Sequence, residues 1–135
     1  MKVLSKRNLF LPVSAFFSKL AHIMTEEEFQ IELRHMTPSD KKKADAKYAE
    51  IENKAAEIAS DVSDLVEKQT GRKEPASIAR HRYADLGGLK SRPCPICGIP
   101  SDKDIELEFE GRNLCYWCVG AFAKKRRAAI KASLA

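Results

Sequence analysis

Apolar residues recur at alternating intervals of four and three along residues 38–70, and charged residues fill the positions between them. The recurring positions are Ala44, Tyr48, Ile51, Ala55, Ile58, Val62 and Leu65. This spacing is a heptad repeat, so it predicts one long helix with a coiled-coil-like seam. Thr37 suits its N-cap, Pro38 its first position and Gly71 its C-cap. The seam requires a partner helix, which is either another helix of this chain or a second copy in a homodimer.

Two shorter helices are predicted, one before and one after the long helix. Thr25 and Glu28 have the spacing of a capping box. The helix that they open carries its apolar face at Phe29, Leu33 and Met36. A further helix begins near Pro75 and has apolar residues at Ala76, Ala79, Tyr83 and Leu86. Because this last helix is only about three turns long, it covers part of the long helix, and residues 25–36 are expected to cover more.

Residues 105–116 replace the helical period by alternation, which predicts a strand, a turn and a returning strand. The apolar side of the first strand holds Ile105, Leu107 and Phe109. Its polar side holds Glu106, Glu108 and Glu110, which we interpret as a solvated face rather than as acid–base groups. Leu114 to Tyr116 form the returning strand. From about Trp117 onwards, helix-forming alanines predict a final helix.

The four cysteines of the chain flank this hairpin as two C-x-x-C pairs separated by seventeen residues. They are Cys94, Cys97, Cys115 and Cys118. Four thiolates suit a closed tetrahedral Zn²⁺ site, and Pro95 and Gly98 favour the turn that brings the first pair to one ion. Two disulfides would need an oxidising compartment, and a redox C-x-x-C pair would need no second pair. A catalytic zinc would keep one position open, so we predict a structural zinc ion as the cofactor.

These patterns together predict a mostly α-helical fold with a small β-hairpin. Residues 24–89 form a helical region that contains the heptad helix 38–70. Residues 90–135 form a treble-clef-like, four-cysteine zinc finger that ends in a basic C-terminal helix. Zinc binding is expected to supply much of the finger's folding energy, so loss of a cysteine should unfold residues 94–135 while the heptad helix persists.

Residues 1–23 allow three interpretations. They carry four basic and no acidic residues and an apolar stretch from Leu9 to Phe17, which resembles a targeting segment, although Pro12 interrupts it. They also fit an amphipathic helix after Pro12, or an extension of the reading frame upstream of Met24. No apolar run approaches the ~20 residues that span a bilayer, so we expect no membrane partner and a cytoplasmic location.

The charge distribution is more uneven than the net charge of +5 suggests. Residues 24–70 carry seven basic and twelve acidic residues, a net charge of −5, whereas residues 111–135 carry six basic and no acidic residues. The six basic residues are Arg112, Lys124, Lys125, Arg126, Arg127 and Lys131. They are candidates for contacting nucleic acid. The alternative is a solvated helix that offsets the roughly −2 charge of a zinc tetrathiolate.

Catalytic motifs are missing from the sequence, which has no phosphate-binding glycine loop and no nucleophile elbow. The histidines, His22, His35 and His81, are scattered along the chain. Since four cysteines already satisfy a zinc ion, we interpret these histidines as surface or partly packed residues. We expect that the protein is not an enzyme.

A long helix, a shorter helix, a C-x2-C-x17-C-x2-C finger and a terminal helix resemble the DksA/TraR family of bacterial and phage regulators that bind RNA polymerase. The residues that carry the likeness are Cys94, Cys97, Gly98, Leu114, Cys115 and Cys118. The family inserts a D-x-x-D pattern into the polymerase secondary channel, and the resemblance implies polymerase contacts at Asp61 and Asp64. Here the two aspartates lie within the heptad helix rather than at a turn, and Val66 stands where the family has alanine. GATA-type DNA-binding fingers share the cysteine spacing.

Two functional hypotheses follow. The first is a zinc-finger transcriptional regulator that binds RNA polymerase, or another protein machine, through its acidic helical half. The second is a small nucleic-acid-binding zinc-finger protein that uses its basic C-terminal helix. A scaffold or oligomer adaptor is a third alternative.

Overall fold

The computed structural model describes residues 23–86 and 91–135, so the expectations for residues 1–22, His22 included, lie outside the described part of the chain. The helices are α1 (Glu26–Arg34), α2 (Pro38–Thr70), α3 (Ala76–Leu86) and α4 (Tyr116–Leu134). The strands are β1 (Arg92–Pro93), β2 (Pro100–Ser101), β3 (Glu106–Phe109) and β4 (Arg112–Cys115), and a 3₁₀ turn spans Lys103–Ile105. Among these residues, no helix combines the length and the apolar character needed to cross a membrane.

The helix boundaries follow the capping residues. Thr25 and Glu28 form the predicted capping box, in which each side chain accepts a hydrogen bond from the other residue's backbone N–H group. The Thr37 hydroxyl accepts from the Asp40 backbone N–H group at the start of α2. At its end, Gly71 has φ of 78°, the left-handed conformation that glycine adopts without strain. The predicted helix 38–70 is therefore confirmed at both ends.

Two small antiparallel ladders build the finger. β1 pairs with β2, and β3 pairs with β4. Phe109 is opposite Arg112 in the second ladder, so the hairpin loop has only two residues, Glu110 and Gly111. Both have positive φ, 51° and 82°, as in a type I′ turn, whose twist matches that of the flanking strands. The predicted hairpin is confirmed with a tighter turn and with α4 beginning at Tyr116.

The long helix α2 packs against two different helices of its own chain. α4 runs antiparallel to its first half, because Ile130 packs near Ala44 and Tyr48 while Gly120 faces Ala55. α3 covers its second half through Ala79 and Tyr83. Within the described residues, the intrachain alternative therefore accounts for the partner of the seam.

The seam also leaves the heptad register near its end. Val66 has no exposed surface, whereas Leu65 is 39% exposed. An α-helix has about 3.6 residues per turn, so a stripe with a strict 3.5-residue period drifts around a straight helix. The prediction of Leu65 as a buried seam residue is wrong for this reason, and Val66 takes its place. Ile51 and Ile58 are only partly buried.

The helical region and the finger share their buried core. One cluster joins Val62 of α2, Tyr83 of α3 and Tyr116 of α4. Another joins three of the four cysteines to Phe109, Leu114 and Val119, with Tyr48 and Ile51 of α2 packed against it. The finger is consequently docked along α2.

Candidate metal centre and flanking surfaces

The four cysteines are positioned by two different local structures. The first pair lies on a tight turn, in which the Gly98 N–H group donates to the Cys94 carbonyl and the Cys94 N–H group donates to the Ile99 carbonyl. Gly98 has φ of 78°, a conformation that side-chain-bearing residues rarely adopt. The second pair spans the start of α4, where Cys115 is the N-cap and Cys118 lies in the first turn.

The four sulfur atoms converge on one point. All of them lie within 4.8 Å of one another. The Cys94–Cys118 sulfur distance is 3.9 Å and the Cys97–Cys115 distance is 3.8 Å. A tetrahedral zinc site with Zn–S bonds of ~2.3 Å separates its sulfurs by about 3.8 Å, whereas a disulfide bond measures ~2.05 Å. The thiols are free, and their spacing fits a four-coordinate metal ion.

Hydrogen bonds among the sulfurs divide the acidity of the cluster unequally. The Cys118 thiol and the Cys118 backbone N–H group lower the pKa of Cys115 to about 5. The hydrogen bond to Cys115, together with burial, raises the pKa of Cys118. Burial raises the pKa of Cys97. A bound cation would stabilise the thiolate form of these cysteines.

Arg80 of α3 contacts the metal centre from outside. It donates a hydrogen bond to the Cys97 sulfur at 3.1 Å, and Cys97 is the exposed member of the four cysteines. Its guanidinium carbon also lies 4.7 Å from the centre of the Trp117 ring, a cation–π contact. Trp117 is 37% exposed, and Tyr116 is buried. Sequence reasoning missed Arg80 because no local spacing connects α3 with the finger.

Arg126, a predicted nucleic-acid candidate, lies inside the core with 4% of its surface exposed. It donates to the Glu110 carboxylate at 2.7 Å, to the Tyr48 hydroxyl at 3.1 Å and to the Met24 carbonyl at 2.9 Å. The Met24 N–H group also donates to Glu110, at 2.8 Å. The guanidinium carbon lies within 6 Å of three ring centres, those of Phe29, Phe109 and Tyr48. Arg126 is therefore a structural residue that joins α1, α2, the hairpin and α4.

The spacing along α4 contained a signal for this burial. Val119, Ala123 and Ile130 are buried, and Arg126 occupies the same stripe at intervals of four, three and four. A charged residue on an otherwise apolar stripe indicates a buried ion pair. Burial alone would lower the pKa of Arg126. The hydrogen bonds to Glu110 and Tyr48 outweigh burial and raise the pKa, so the guanidinium group stays charged.

The remaining basic candidates differ in their surroundings. Arg127 donates to Asp45 at 3.1 Å and to Glu52 at 3.0 Å, both on α2. Lys125 approaches Glu26 at 3.7 Å as an exposed pair. Lys124 and Lys131 are exposed, and Arg112 is half-buried. The two arginines of the basic run thus bind carboxylates of the same chain.

The interpretation of Glu106, Glu108 and Glu110 as a solvated face is wrong for Glu106, whereas Glu110 in the hairpin turn is exposed but ion-paired. Glu106 accepts two hydrogen bonds from Arg92, at 2.9 and 3.1 Å, and its side chain is buried. Glu110 holds Arg126. Of the three glutamates, only Glu108 is exposed and forms no such pair with a described residue. The arginine partners lie outside β3, so alternation along the strand did not reveal them.

Asp61 and Asp64 both lie exposed on the second half of α2. Neither carboxylate forms an ion pair or a hydrogen bond with another described residue. Asp61 borders a depression that also contains Asp104 of the 3₁₀ turn. His35 and His81 are exposed and lie outside the cysteine cluster, the one group of potential metal ligands found in residues 23–86 and 91–135.

No known protein family, curated protein or solved structure matches the chain significantly. The likeness to the DksA/TraR family consequently rests on the cysteine spacing, the helical arrangement and the aspartate pair. The geometry itself establishes a mostly helical chain with a small hairpin and four cysteines positioned to bind a metal ion.

Proposed function

We propose that this chain is a non-enzymatic zinc-finger regulator that binds RNA polymerase through α2, in the manner of the DksA/TraR proteins. The observation that carries the proposal is the contrast among the carboxylates of α2. Asp45 and Glu52 hold Arg127, whereas Asp61 and Asp64 project from the same helix without a partner among the described residues. Exposed, unpaired carboxylates on a rigid helix suit contact with a basic surface.

Zinc has a structural role in this proposal. Cys94, Cys97, Cys115 and Cys118 would hold the ion, which supplies a covalent-like crosslink between the first turn of the finger and the start of α4. α4 covers the first half of α2, and α3 covers the second half. The metal thereby stabilises the helix that displays the two aspartates.

The nucleic-acid hypothesis is the competing candidate. Its support is weaker, because Arg126 is buried and Arg127 is engaged by Asp45 and Glu52. Lys124 and Lys131 remain exposed and are the residues to test. If duplex DNA is the partner, replacing both by alanine should reduce the log–log salt slope of binding by about 2, since each phosphate contact contributes about −0.9.

The deciding experiment uses purified bacterial RNA polymerase and a transcription assay. Asp61→Asn with Asp64→Asn should abolish the effect on transcription and weaken polymerase binding about tenfold, the usual consequence of losing hot-spot contacts. Glu50→Gln is the matched control, because it neutralises another exposed carboxylate of α2. Zinc content and helicity should not change in either variant. An unchanged transcription effect in the aspartate variant would contradict the proposal.

A further inference from the structure

An open groove runs between α2, α3 and the 3₁₀ turn, on the same half of α2 as Asp61. It consists of two adjoining depressions of about 260 and 220 Å³, which share Leu65 and Tyr83. The remaining lining residues are Ile58, Asp61, Val62, Gln69, Leu86, Asp102, Asp104 and Ile105. The groove is thus shaped by three separate elements of the fold.

Two partly exposed leucines contribute apolar surface to this groove. Leu65 is 39% exposed and Leu86 is 50% exposed, and they lie on opposite walls, α2 and α3. The depression between them is completed by Gln69, Tyr83 and Asp102, and the buried side chains of Val62 and Ile105 line the adjoining depression. A large apolar side chain placed between the leucines would remove their remaining surface from water.

The rim of the groove has a single sign of charge. Three carboxylates, those of Asp61, Asp102 and Asp104, border it, and none of the described lining residues is basic. The Tyr83 hydroxyl donates to both carboxylate oxygens of Asp102, at 2.9 and 3.1 Å, which fixes that carboxylate at the groove. Burial and this hydrogen bond raise the pKa of Tyr83, so the hydroxyl stays a donor at neutral pH.

We propose that this groove is a docking site for a basic amphipathic segment of a protein partner, which places one or two large apolar side chains between Leu65 and Leu86 and Lys or Arg side chains against Asp61 and Asp104. The assignment rests on the proposed function, because it names the chemistry of the partner that α2 would meet. Charge complementarity selects this occupant, since three carboxylates and no basic side chain line the groove among the described residues.

The test uses a defined probe and does not depend on the polymerase. The probe is a fluorescent helical peptide of about 16 residues with leucines on one face and lysines on the other, and its counterpart carries glutamates in place of the lysines. Binding to the full chain is measured by fluorescence anisotropy, and the contact surface is mapped by amide chemical-shift changes. The lysine peptide should bind and the glutamate peptide should not.

Two pairs of variants separate the groove from the rest of the surface. Leu65→Ser with Leu86→Ser should weaken binding of the lysine peptide about tenfold, while Ile31→Ser with Leu134→Ser, two similarly exposed apolar residues elsewhere, should not. Asp61→Asn with Asp104→Asn should weaken it and flatten its salt dependence. Glu50→Gln with Glu108→Gln makes the same charge change away from the groove and should leave binding unaltered. Circular dichroism confirms that each variant folds.

The outcomes distinguish the two proposals. Shift changes confined to the groove, with loss of binding only in the groove variants, support the docking site. Equal binding by both peptides, or shift changes spread over all exposed carboxylates, overturn it. A peptide that binds the groove while RNA polymerase does not bind the chain overturns the proposed function and leaves the docking site supported. If RNA polymerase binds the chain but the lysine peptide does not bind the groove, the docking site is overturned and the proposed function is not.

Discussion

Arg126 is the residue that links α1, α2 and the hairpin to α4. Its guanidinium group bonds to Glu110 and Tyr48 and to the Met24 carbonyl, and aromatic rings surround it. A charge taken out of water is costly unless its hydrogen bonds are nearly all satisfied. Here the hairpin turn, the segment before α1 and α2 each supply an acceptor, so the arginine specifies how these three parts of the chain meet α4.

The adjacent arginines of α4 provide a matched test of this role. Arg126→Ala should lower the free energy of unfolding by about 3–5 kcal/mol, because it leaves Glu110 without its buried partner. Arg127→Ala should cost much less, since Arg127 is 28% exposed and its pairs face solvent. Urea denaturation of both variants measures the difference. Equal losses would show that Arg126 behaves as an ordinary surface arginine.

Arg80 should influence metal affinity without being a ligand. Its hydrogen bond to Cys97 favours the thiolate form, and residues that contact metal ligands in this way typically change affinity by about 10–100-fold. Arg80→Met is therefore expected to weaken zinc binding about tenfold in competition with a chelator. Arg82→Met is the control, because Arg82 lies on the same helix but pairs with Glu74, which precedes the helix. Unchanged zinc affinity in the Arg80 variant would show that the hydrogen bond from Arg80 to Cys97 does not affect metal binding.

At the scale of elements, α2 shows which structural features local sequence determines. Its ends, Pro38 and Thr70, follow from capping residues that act within one turn, and the cysteine cluster follows from two fixed spacings, so both were predictable. The packing of α4 against the first half of α2 was not predictable, because it depends on contacts between residues more than sixty positions apart. The switch from Leu65 to Val66 depends in the same way on how straight the helix runs against its neighbours.

This switch yields a direct test of the register of α2. Val66→Ser should cost about 2–3 kcal/mol, since it opens a cavity and buries a hydroxyl group. Leu65→Ser should cost about 1 kcal/mol or less, because much of the Leu65 side chain is already in water. Thermal unfolding followed by circular dichroism compares the two. A larger loss of stability for Leu65→Ser than for Val66→Ser would show that α2 keeps the strict heptad register.

At the scale of the whole molecule, the helical region and the finger stabilise each other. The expectation that the heptad helix persists after the finger unfolds treats the helix and the finger as independent. In the structure, Ala55 of α2 packs against Gly120 of α4. Arg127 also ties α4 to Asp45 and Glu52 of α2. Without α4, the first half of α2 would expose its apolar stripe.

Removal of the metal should consequently unfold more than the finger. Chelation of zinc, or Cys94→Ser, is expected to give one cooperative transition in which α2 loses helicity together with residues 94–135. Amide hydrogen exchange, read separately for Tyr48 and Val66, follows the two halves of α2. Continued protection of Tyr48 in the zinc-free protein would instead show that α2 is stable alone.

The antiparallel contact between α2 and α4 also constrains the order of events during synthesis. A helix of this length forms within microseconds, yet α4 leaves the ribosome only after the finger has been translated, several seconds later at about 5–20 residues per second. Until then Tyr48, Ile51 and Ala55 have no cover from their final partner. Met24, near the start of the described chain, likewise waits for Arg126, 102 positions later. The nascent protein is therefore most prone to aggregate just before its final helix emerges, and zinc captured by the completed finger would shorten that interval.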